Sequence, residues 1–267
     1  MLVLLLFVLA GCGEENMQNR EASPGSRAVA LAPVWEKLAA EKIYFGHQSV
    51  GFNIMQGLED LAQASAGRLP MFVQTRDPGA FDKPIFAHSE NGKNADAASK
   101  IEAFAETIDS GVGDRADVVF FKLCFVDITQ QTDVPRVFEL YRSSMSKIRM
   151  KYPRLAIVHV TVPLMTVEGG VKAWVKKWIG RAPDGYQDNV RRNEYNDQLR
   201  LAYSGKEPLY DLAGVESTTA AGKTVRFSHA GRQYQALDPL STDDGGHLNK
   251  EGRRRAAQRL LEVLGNL

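Results

Sequence analysis

The sequence is poor in the residues that build metal sites and disulfide frameworks. It has two cysteines and five histidines in 267 residues. Neither a C-x-x-C nor an H-E-x-x-H pattern occurs, which argues against a structural zinc site. An excess of one charge is lacking too, because the net charge is only +1, so no general attraction to nucleic acid is expected. We therefore expect neither a metal ion nor a nucleic-acid partner.

Long hydrophobic runs are scarce, and the one at the N-terminus is short. Met1 to Leu9 is almost wholly apolar but is far too short to span a bilayer as a stable helix. The run leads into Leu9-Ala10-Gly11-Cys12, which resembles a bacterial lipoprotein signal, although no Lys or Arg precedes it. The resemblance implies cleavage after residue 11 and a lipid on Cys12 that tethers the protein to a membrane. An ordinary secretory signal is the alternative.

Composition divides the chain into a signal peptide at 1–11, a tether at 12–32 and one domain at 33–267. The tether prediction depends on a polar stretch rich in Glu, Asn, Gln, Ser, Pro and Gly. The domain shows no internal repeat and no change of composition that would indicate a second domain. Glu14, rather than an aspartate, is second after the cysteine. By resemblance to enterobacterial sorting, this favours the periplasmic face of the outer membrane.

Buried strands alternate with amphipathic helices along the domain. The continuous apolar runs within 117–125 and 155–162 are typical of parallel strands buried on both faces. Such alternation predicts an α/β fold, with a five-stranded parallel sheet in a three-layer α/β/α sandwich. The predicted strands are 42–45, 70–75, 117–125, 155–162 and 208–212. The predicted helices are 50–64, 95–108, 134–152, 188–203 and 249–264, with a small hairpin between 224 and 237.

Two blocks near opposite ends of the chain contain the residue types of an acyl-transfer triad. The segment 44–51 (YFGHQSVG) places Ser49 where a strand turns into a helix, and the segment 242–249 (TDDGGHLN) places Asp244 and His247 before the last helix. Such a triad needs a hydroxyl that attacks, an imidazole that takes its proton and a carboxylate that orients the imidazole. Because ligands bind beyond the carboxyl ends of parallel strands, we expect the three side chains to meet there.

Each member of this predicted triad has a plainer interpretation. Ser49 alone is typical of an N-cap for the following helix, and His247 alone of a packing residue before a helix. Asp243 is an alternative to Asp244 as the orienting carboxylate. His47 is an alternative to His247 as the base, although near neighbours on an extended turn usually point apart. The joint presence of both blocks favours the triad.

Together the two blocks resemble those of the SGNH (GDSL-like) hydrolase superfamily, over roughly residues 43–264. The resemblance implies a flavodoxin-like sheet, catalysis by Ser49, Asp244 and His247, and an oxyanion hole made by the N–H groups of Ser49 and Gly92. The chain departs from the family at its first block, where the usual Gly-Asp-Ser is replaced by His47-Gln48-Ser49. The chemistry implied by the resemblance requires no cofactor.

A second departure concerns the asparagine that the family carries after its third strand. The corresponding segment, 122–127 (KLCFVD), contains none. Asn94 is our candidate replacement as an oxyanion donor, and Lys122 is the second. A lysine that ends an apolar strand would need a partner, which Asp127 could provide. Cys124, in the same apolar run, is expected to be buried and unreactive.

Further clusters bear on the substrate. His47 is a candidate for lining the pocket, with Lys122 and Asp127. Arg192 and Asn196 fall on one face of an amide-rich helix, which predicts either a polar wall of the site or a solvated face. The apolar stripe of Trp174 to Trp178 indicates either an insertion packed on the body, or a lid or surface for sugar rings and lipid headgroups.

The sequence thus predicts a lipid-anchored serine esterase of the bacterial cell envelope. The expected substrate is a small-molecule or glycan ester, with an O-acetyl group on a glycan preferred from location and family habit. Three alternatives stay open: an O-acetyltransferase on an envelope polysaccharide, a lysophospholipase-like lipid esterase, and a glycan-binding lipoprotein without catalysis. The expected membrane contact is through the lipid on Cys12.

Overall fold

The computed structural model describes residues 24–65, 67–169, 178 and 184–267. The predicted signal peptide, Cys12 and Trp174 lie outside the described residues. The strands are β1 (Lys42–His47), β2 (Phe72–Gln74), β3 (Ile85–Glu90), β4 (Val118–Phe121), β5 (Ala156–Ile157), β6 (His159–Val160), β7 (Leu209–Tyr210), β8 (Arg226–His229) and β9 (Arg232–Gln235). The α-helices of the described ranges are α1 (Pro24–Leu38), α2 (Val50–Gln63), α3 (Ala97–Thr107), α4 (Val134–Lys151), α5 (Tyr186–Tyr203), α6 (Leu212–Glu216) and α7 (Lys250–Gly265).

A five-stranded sheet in the order β2-β3-β1-β4-β5 forms the centre of the fold, and all of its pairs are parallel. One residue separates β5 from β6, which pairs in parallel with β7. The Val158 N–H donates to the Val119 carbonyl at 3.1 Å, and the His159 N–H donates to the Pro208 carbonyl at 2.9 Å. The strand that contains β5 and β6 therefore connects β4 to β7. This arrangement confirms the predicted five-stranded parallel α/β fold.

Alternate residues of the central strands point to opposite faces and bury two cores. Phe45 of β1 and Phe120 of β4 pack in one core with helices α1, α2 and α7. Tyr44 and Phe121 pack in the other core with α3, α4 and α5. This double burial is typical of parallel strands covered by helices on both faces, and it confirms the three-layer sandwich.

The sequence does not predict β3, which pairs with β1 on one side and β2 on the other. Its sequence, IFAHSE, has three apolar residues and then turns polar, so its pattern is too short to indicate a strand. Phe86 and Ala87 are nonetheless fully buried between the helical layers. The role of β3 in the sheet is therefore visible only once its neighbours are in place.

The predicted helices agree with their bounds, and the described residues add two helices, α1 at the N-terminus and the short α6. Helix α1 begins at Pro24, inside the segment predicted as a tether, and Trp35 of this helix is fully buried against the α2–α7 side. The predicted N-cap of α7 is confirmed, because the Asn249 side chain accepts a hydrogen bond from the Gly252 N–H at 3.0 Å. The predicted hairpin is present as β8 and β9. The division into signal, tether and domain stays a prediction.

Among the described residues, no helix combines the length and the apolar character needed to cross a membrane.

Candidate active site

Ser49 lies at the carboxyl end of β1, in the turn that leads to α2. Its backbone has φ 54° and ψ −117°, a conformation that residues other than glycine rarely adopt. The side chain makes no capping hydrogen bond to α2, so the interpretation of Ser49 as a side-chain N-cap is wrong. Strained backbone of this kind is concentrated at functional sites, where the surrounding structure maintains it.

The structure brings the three predicted triad residues together. The Ser49 hydroxyl oxygen lies 2.7 Å from His247 Nε2, and His247 Nδ1 lies 2.7 Å from Asp244 Oδ2. When Nδ1 donates to the carboxylate, Nε2 presents its lone pair to the hydroxyl, as a general base requires. Asp243 is not the orienting group, because its Oδ1 accepts a bond from Asn249 at 3.5 Å instead. The geometry fits an acyl-transfer triad, and the catalytic roles stay a prediction.

The loop around Asp244 holds the carboxylate in place. Asp244 Oδ1 accepts hydrogen bonds from the N–H groups of Gly246 at 2.9 Å and His247 at 2.8 Å. These bonds, the Gly246 N–H first and then the His247 imidazole, hold the pKa of Asp244 well below its usual value. Gly245 has φ 89°, which favours glycine, and its carbonyl accepts the Thr166 N–H at 2.9 Å. The carboxylate is therefore ionised and oriented over a wide pH range.

Two neighbours that the sequence does not single out as site residues support His247. The Phe125 ring meets the imidazole edge-on, with 5.5 Å between ring centroids. A Cβ on Gly246 would lie 3.1 Å from Phe125 Cζ, so glycine allows this approach. Asn53 Oδ1 accepts the Leu248 N–H at 3.1 Å and connects the loop to α2. The sequence feature that could have indicated Asn53 is its position four residues after Ser49, which places it on the face of the predicted helix that lies nearest the serine.

His47 is fully buried and does not line an open pocket. Its Nε2 lies 3.0 Å from His88 Nδ1, and burial lowers the pKa of His47 to about 2. The alternative of His47 as the base is therefore wrong: the imidazole is occupied by His88, and His247 is the one that contacts Ser49. A Cβ on Gly51 would lie 2.3 Å from His47 Cβ, so this histidine explains the glycine two residues after the serine.

Gly92 follows β3 and lies beside the Ser49 turn. It has φ 64°, and a Cβ there would lie 2.6 Å from the Lys100 Cα, so only glycine fits. The Gln48 side-chain amide donates to the Gly92 carbonyl at 2.7 Å. That bond connects Gly92 to the residue before the serine. Donation from the Gly92 N–H to an oxyanion stays a prediction.

The two candidates for the third donor lie in different surroundings, and donation from the Asn94 amide to an oxyanion stays a prediction. Asn94 is exposed and accepts a hydrogen bond from Lys100 Nζ at 2.9 Å. Lys122 is buried, and its Nζ donates to Cys124 Sγ at 3.1 Å and to the Leu123 carbonyl at 3.4 Å. Burial also lowers the pKa of Lys122. Because its Nζ is buried and bonded within its own segment, the structure does not support Lys122 as a donor or pocket residue.

The predicted pairing of Lys122 with Asp127 is also wrong. Asp127 Oδ2 lies 2.8 Å from Lys100 Nζ, and the two side chains are 0% and 1% exposed. The sequence misses this pair because Lys100 falls within an amphipathic helix pattern, where a lysine is usually solvated. Cys124 is buried, as expected.

Arg192 and Asn196 form neither a wall of the site nor a solvated face. Both are buried, at 2% and 0% exposure. Arg192 Nε donates to the Phe125 carbonyl at 2.9 Å, and Asn196 pairs with both backbone groups of Val162 at 2.7 and 2.9 Å. Their polar groups satisfy irregular backbone beyond the strands, which has no ladder partner of its own. Both predictions for this helix face are therefore wrong.

No protein-family model matches the chain, and no curated protein matches it. Solved structures of GDSL-type hydrolases are among those to which it is similar. The chain is 10% identical to a lipase/acylhydrolase from Enterococcus faecalis (TM-score 0.46, covering 85% of this chain and 96% of that chain). It is 17% identical to a member of the lipolytic G-D-S-L family from Veillonella parvula (TM-score 0.45, covering 84% of this chain and 98% of that chain).

A third similar structure is the periplasmic domain of a lipopolysaccharide acetyltransferase from Salmonella ser. Paratyphi A. It is 14% identical (TM-score 0.43, covering 88% of this chain and 87% of that chain). At these identities, and with TM-scores below 0.5, such likenesses leave the activity to be inferred from the site itself. The sheet order and the contacts among Ser49, His247 and Asp244 are the observations that bear on it.

Proposed function

We propose that this protein is a serine esterase that removes a short acyl group, such as acetyl, from a glycan of the cell envelope. The observation that carries the proposal is the pair of 2.7 Å contacts that connects Ser49 Oγ through the His247 ring to Asp244. A hydroxyl, an imidazole and a carboxylate in this order form the constellation that acyl transfer uses on unrelated folds. The strained backbone of Ser49 supports a role beyond packing.

The reaction follows from these contacts. His247 Nε2 takes the hydroxyl proton while Ser49 Oγ attacks the ester carbonyl, and the N–H groups of Ser49 and Gly92 stabilise the oxyanion. When the intermediate collapses, the carbon–oxygen bond to the sugar breaks, and His247 gives its proton to the departing hydroxyl. Water, deprotonated by His247, then attacks the acyl-serine, so the carboxylic acid leaves and Ser49 regains its proton.

The exposure of the triad supports a small acyl group on a large carrier. The side chains of His247 and Asp244 are 47% and 57% exposed. Two residues that contact the neighbours of Ser49 in the chain, His47 against Gly51 and Cys124 at the Gln48 carbonyl, are both fully buried. A nucleophile near the surface reaches an ester that projects from a polymer. A long acyl chain would need an apolar groove that buries most of its surface.

Attachment to the envelope through a lipid on Cys12 is part of the same proposal and depends on the signal-like sequence that precedes it. Metabolic labelling with a fatty-acid analogue tests it. The wild-type chain would carry the label in its membrane fraction, and Cys12→Ser would not. A wild-type chain without label would contradict the anchor and leave the esterase proposal in place.

Hydrolysis of 4-nitrophenyl acetate and of an O-acetylated glycan by the mature protein tests the activity. Ser49→Ala would lower kcat by about 10⁴-fold or more, since removal of a triad member abolishes nucleophilic catalysis. Ser228→Ala, in the hairpin, is the control and would leave the rate unchanged. Equal rates for wild type and Ser49→Ala would remove the serine from the chemistry. Release of free acetate distinguishes hydrolysis from transfer to a second sugar, and a preference for long chains would favour a lipid esterase.

A further inference from the structure

Two loops flank the Ser49 turn, and one buried ion pair joins them. Residues 91–96, between β3 and α3, form what we call the oxyanion loop because it contains Gly92. Residues 122–128, which follow β4, form the support loop. Lys100 of α3 and Asp127 of the support loop meet with 2.8 Å between Nζ and Oδ2. Their side chains are 1% and 0% exposed. Two charges so deeply buried are stable only when hydrogen bonds satisfy nearly all of their donor and acceptor positions.

Asp127 binds both loops at once. Its Oδ1 accepts the Ala95 N–H of the oxyanion loop at 2.9 Å, and its Oδ2 accepts the Cys124 N–H of the support loop at 2.6 Å. Ala95 has φ 63°, in the left-handed region that residues other than glycine rarely adopt. The bond from its N–H to a buried carboxylate offsets that strain. One carboxylate therefore fixes the distance between the loops and an unfavourable turn within one of them.

Lys100 fixes the rest of the oxyanion loop. Its Nζ donates to Asn94 Oδ1 at 2.9 Å, and its carbonyl accepts the Asn91 side-chain amide at 2.8 Å. Its Cα lies against Gly92, 2.6 Å from where a Cβ would be. The loop thus rests on Lys100 at three points, and Gly92 lies between this lysine and Gln48, whose side chain holds its carbonyl.

The support loop reaches the other half of the site. Phe125 packs edge-on against the His247 imidazole, and the Cys124 thiol donates to the Gln48 carbonyl at 3.6 Å. Asp127 closes this loop by accepting the Cys124 N–H. The ion pair therefore bonds directly to the oxyanion loop, and it connects through Cys124 and Phe125 of the support loop to the nucleophile turn and to the base.

We propose that Lys100 and Asp127 are positioning residues for the oxyanion hole. This inference rests on the proposed esterase function. The segment after β4 lacks the asparagine that the resemblance to SGNH hydrolases leads us to expect there, so the hole depends on the N–H groups of Ser49 and Gly92. Donors act on an oxyanion only if they are held in place before the charge develops. The ion pair holds Gly92 at its place beside the Ser49 turn without touching the substrate.

Steady-state kinetics of Lys100→Met and Asp127→Asn with 4-nitrophenyl acetate test the proposal. Misplacing a backbone donor affects the transition state more than substrate binding. We expect kcat to fall by about 10- to 100-fold, with KM within about twofold of wild type. Lys100→Met keeps the apolar stem of the lysine and removes its bonds to Asn94 and Asp127. Asp127→Asn replaces one carboxylate oxygen by an NH₂ group, which cannot accept the hydrogen bond from the Ala95 or the Cys124 N–H that it then faces.

A thionoester provides a readout that a merely structural role would not change. Sulfur accepts hydrogen bonds poorly, so an enzyme with an intact oxyanion hole hydrolyses the oxygen ester much faster than 4-nitrophenyl thionoacetate. The ratio of the two rates would fall in Lys100→Met and in Asp127→Asn. Arg200→Met is the matched control, because it breaks an ion pair with Asp211 at 2.8 Å that lies outside both loops. Its rate ratio would equal that of wild type.

The double variant Lys100→Met/Asp127→Leu preserves the test if a single variant fails to fold. It replaces both charges by apolar side chains and leaves no buried charge unpaired. The proposal is overturned if this folded variant keeps kcat within twofold of wild type, or if Arg200→Met shifts the rate ratio equally. If turnover depends on Ser49 but the variants at Lys100 and Asp127 keep the kcat and the rate ratio of wild type, this inference alone is refuted. Turnover that survives Ser49→Ala refutes the esterase proposal as well.

Discussion

The two sides of the triad are built in different ways. On the imidazole side, Asp244 and His247 are about half exposed, and the bonds that orient the carboxylate come from within its own loop. On the serine side, the turn rests on His47, which is fully buried, and on Cys124 from another strand end, whose thiol Lys122 contacts. The imidazole side is thus a short polar loop with local bonding. The serine side depends on buried contacts between distant segments.

This difference predicts which changes harm chemistry alone and which also harm the fold. His247→Gln would remove the base from an exposed position, so kcat would fall by about 10⁴- to 10⁶-fold. The melting temperature would stay within a few degrees of wild type because little buried surface is lost. Ester hydrolysis and thermal unfolding measure the two effects. A folded His247→Gln protein with near-normal turnover would contradict the assignment of the base.

On the serine side, Gly51→Ala would affect stability and activity together. The new Cβ would lie 2.3 Å from His47 Cβ, which is not the end of a flexible side chain. Overpacking of this kind costs about 1–3 kcal/mol of unfolding free energy, and the displaced histidine would disturb the Ser49 turn. Gly169→Ala is the control, since nothing lies within 4 Å of the place that its Cβ would occupy. Denaturant unfolding that gave the two variants equal stability would contradict this account.

Buried Glu216 provides a pH test of how the imidazole-side loop is anchored. Its Oε2 accepts the Leu164 N–H at 2.7 Å, in a segment whose Thr166 bonds to Gly245. Burial raises the pKa of Glu216 to about 8. The folded state then holds a proton that the unfolded state releases above the ordinary glutamate pKa of 4.5. The contribution of Glu216 to the free energy of unfolding is therefore fully present below pH 4.5, and it is lost as the pH rises towards 8.

Melting temperatures of wild type and Glu216→Gln between pH 5 and 8.5 measure this effect. The glutamine variant cannot release a proton, so its melting temperature would decline less over this range. Parallel curves for the two proteins would show that Glu216 does not titrate between the folded and unfolded states.

The smallest expected effect concerns the N-cap that follows the imidazole-side loop. Asn249→Ala would remove the bond to the Gly252 N–H at 3.0 Å and cost about 1 kcal/mol of unfolding free energy. Turnover would change by less than a few-fold, because Asp244 and Gly246 keep their own bonds. A large loss of turnover without a loss of stability would show that the cap positions His247 directly.

The sequence predicts the features that depend on local patterns. The helix bounds, the N-cap at Asn249 and the proximity of Asp244 to His247 all follow from periodicity or from spacing within a few residues. Strand β3 is not predicted, because its burial comes from strands that lie on either side of it rather than from its own pattern. The pairing of Lys100 with Asp127 is missed because the lysine falls within an amphipathic helix pattern and its partner comes from a different element.

The polar face of α5 shows a further limit. Asparagines on one helix face predict a solvated surface or a binding wall, whereas Asn196 and Asn193 pair with the backbone of Val162 and Gln235. A side-chain amide can replace a strand partner in both donor and acceptor roles. Nothing in the helix itself indicates that the backbone of Val162 and of the end of β9 lies opposite these residues.

Intact-mass analysis with peptide mapping after treatment with a fluorophosphonate probe tests the central claim most directly. The account predicts one covalent adduct per chain, located on Ser49, and its loss in folded His247→Gln because the hydroxyl is then not deprotonated. Absence of an adduct from the folded wild-type protein, or an adduct on a different residue, would contradict the claim that Ser49 and His247 form a working nucleophile and base.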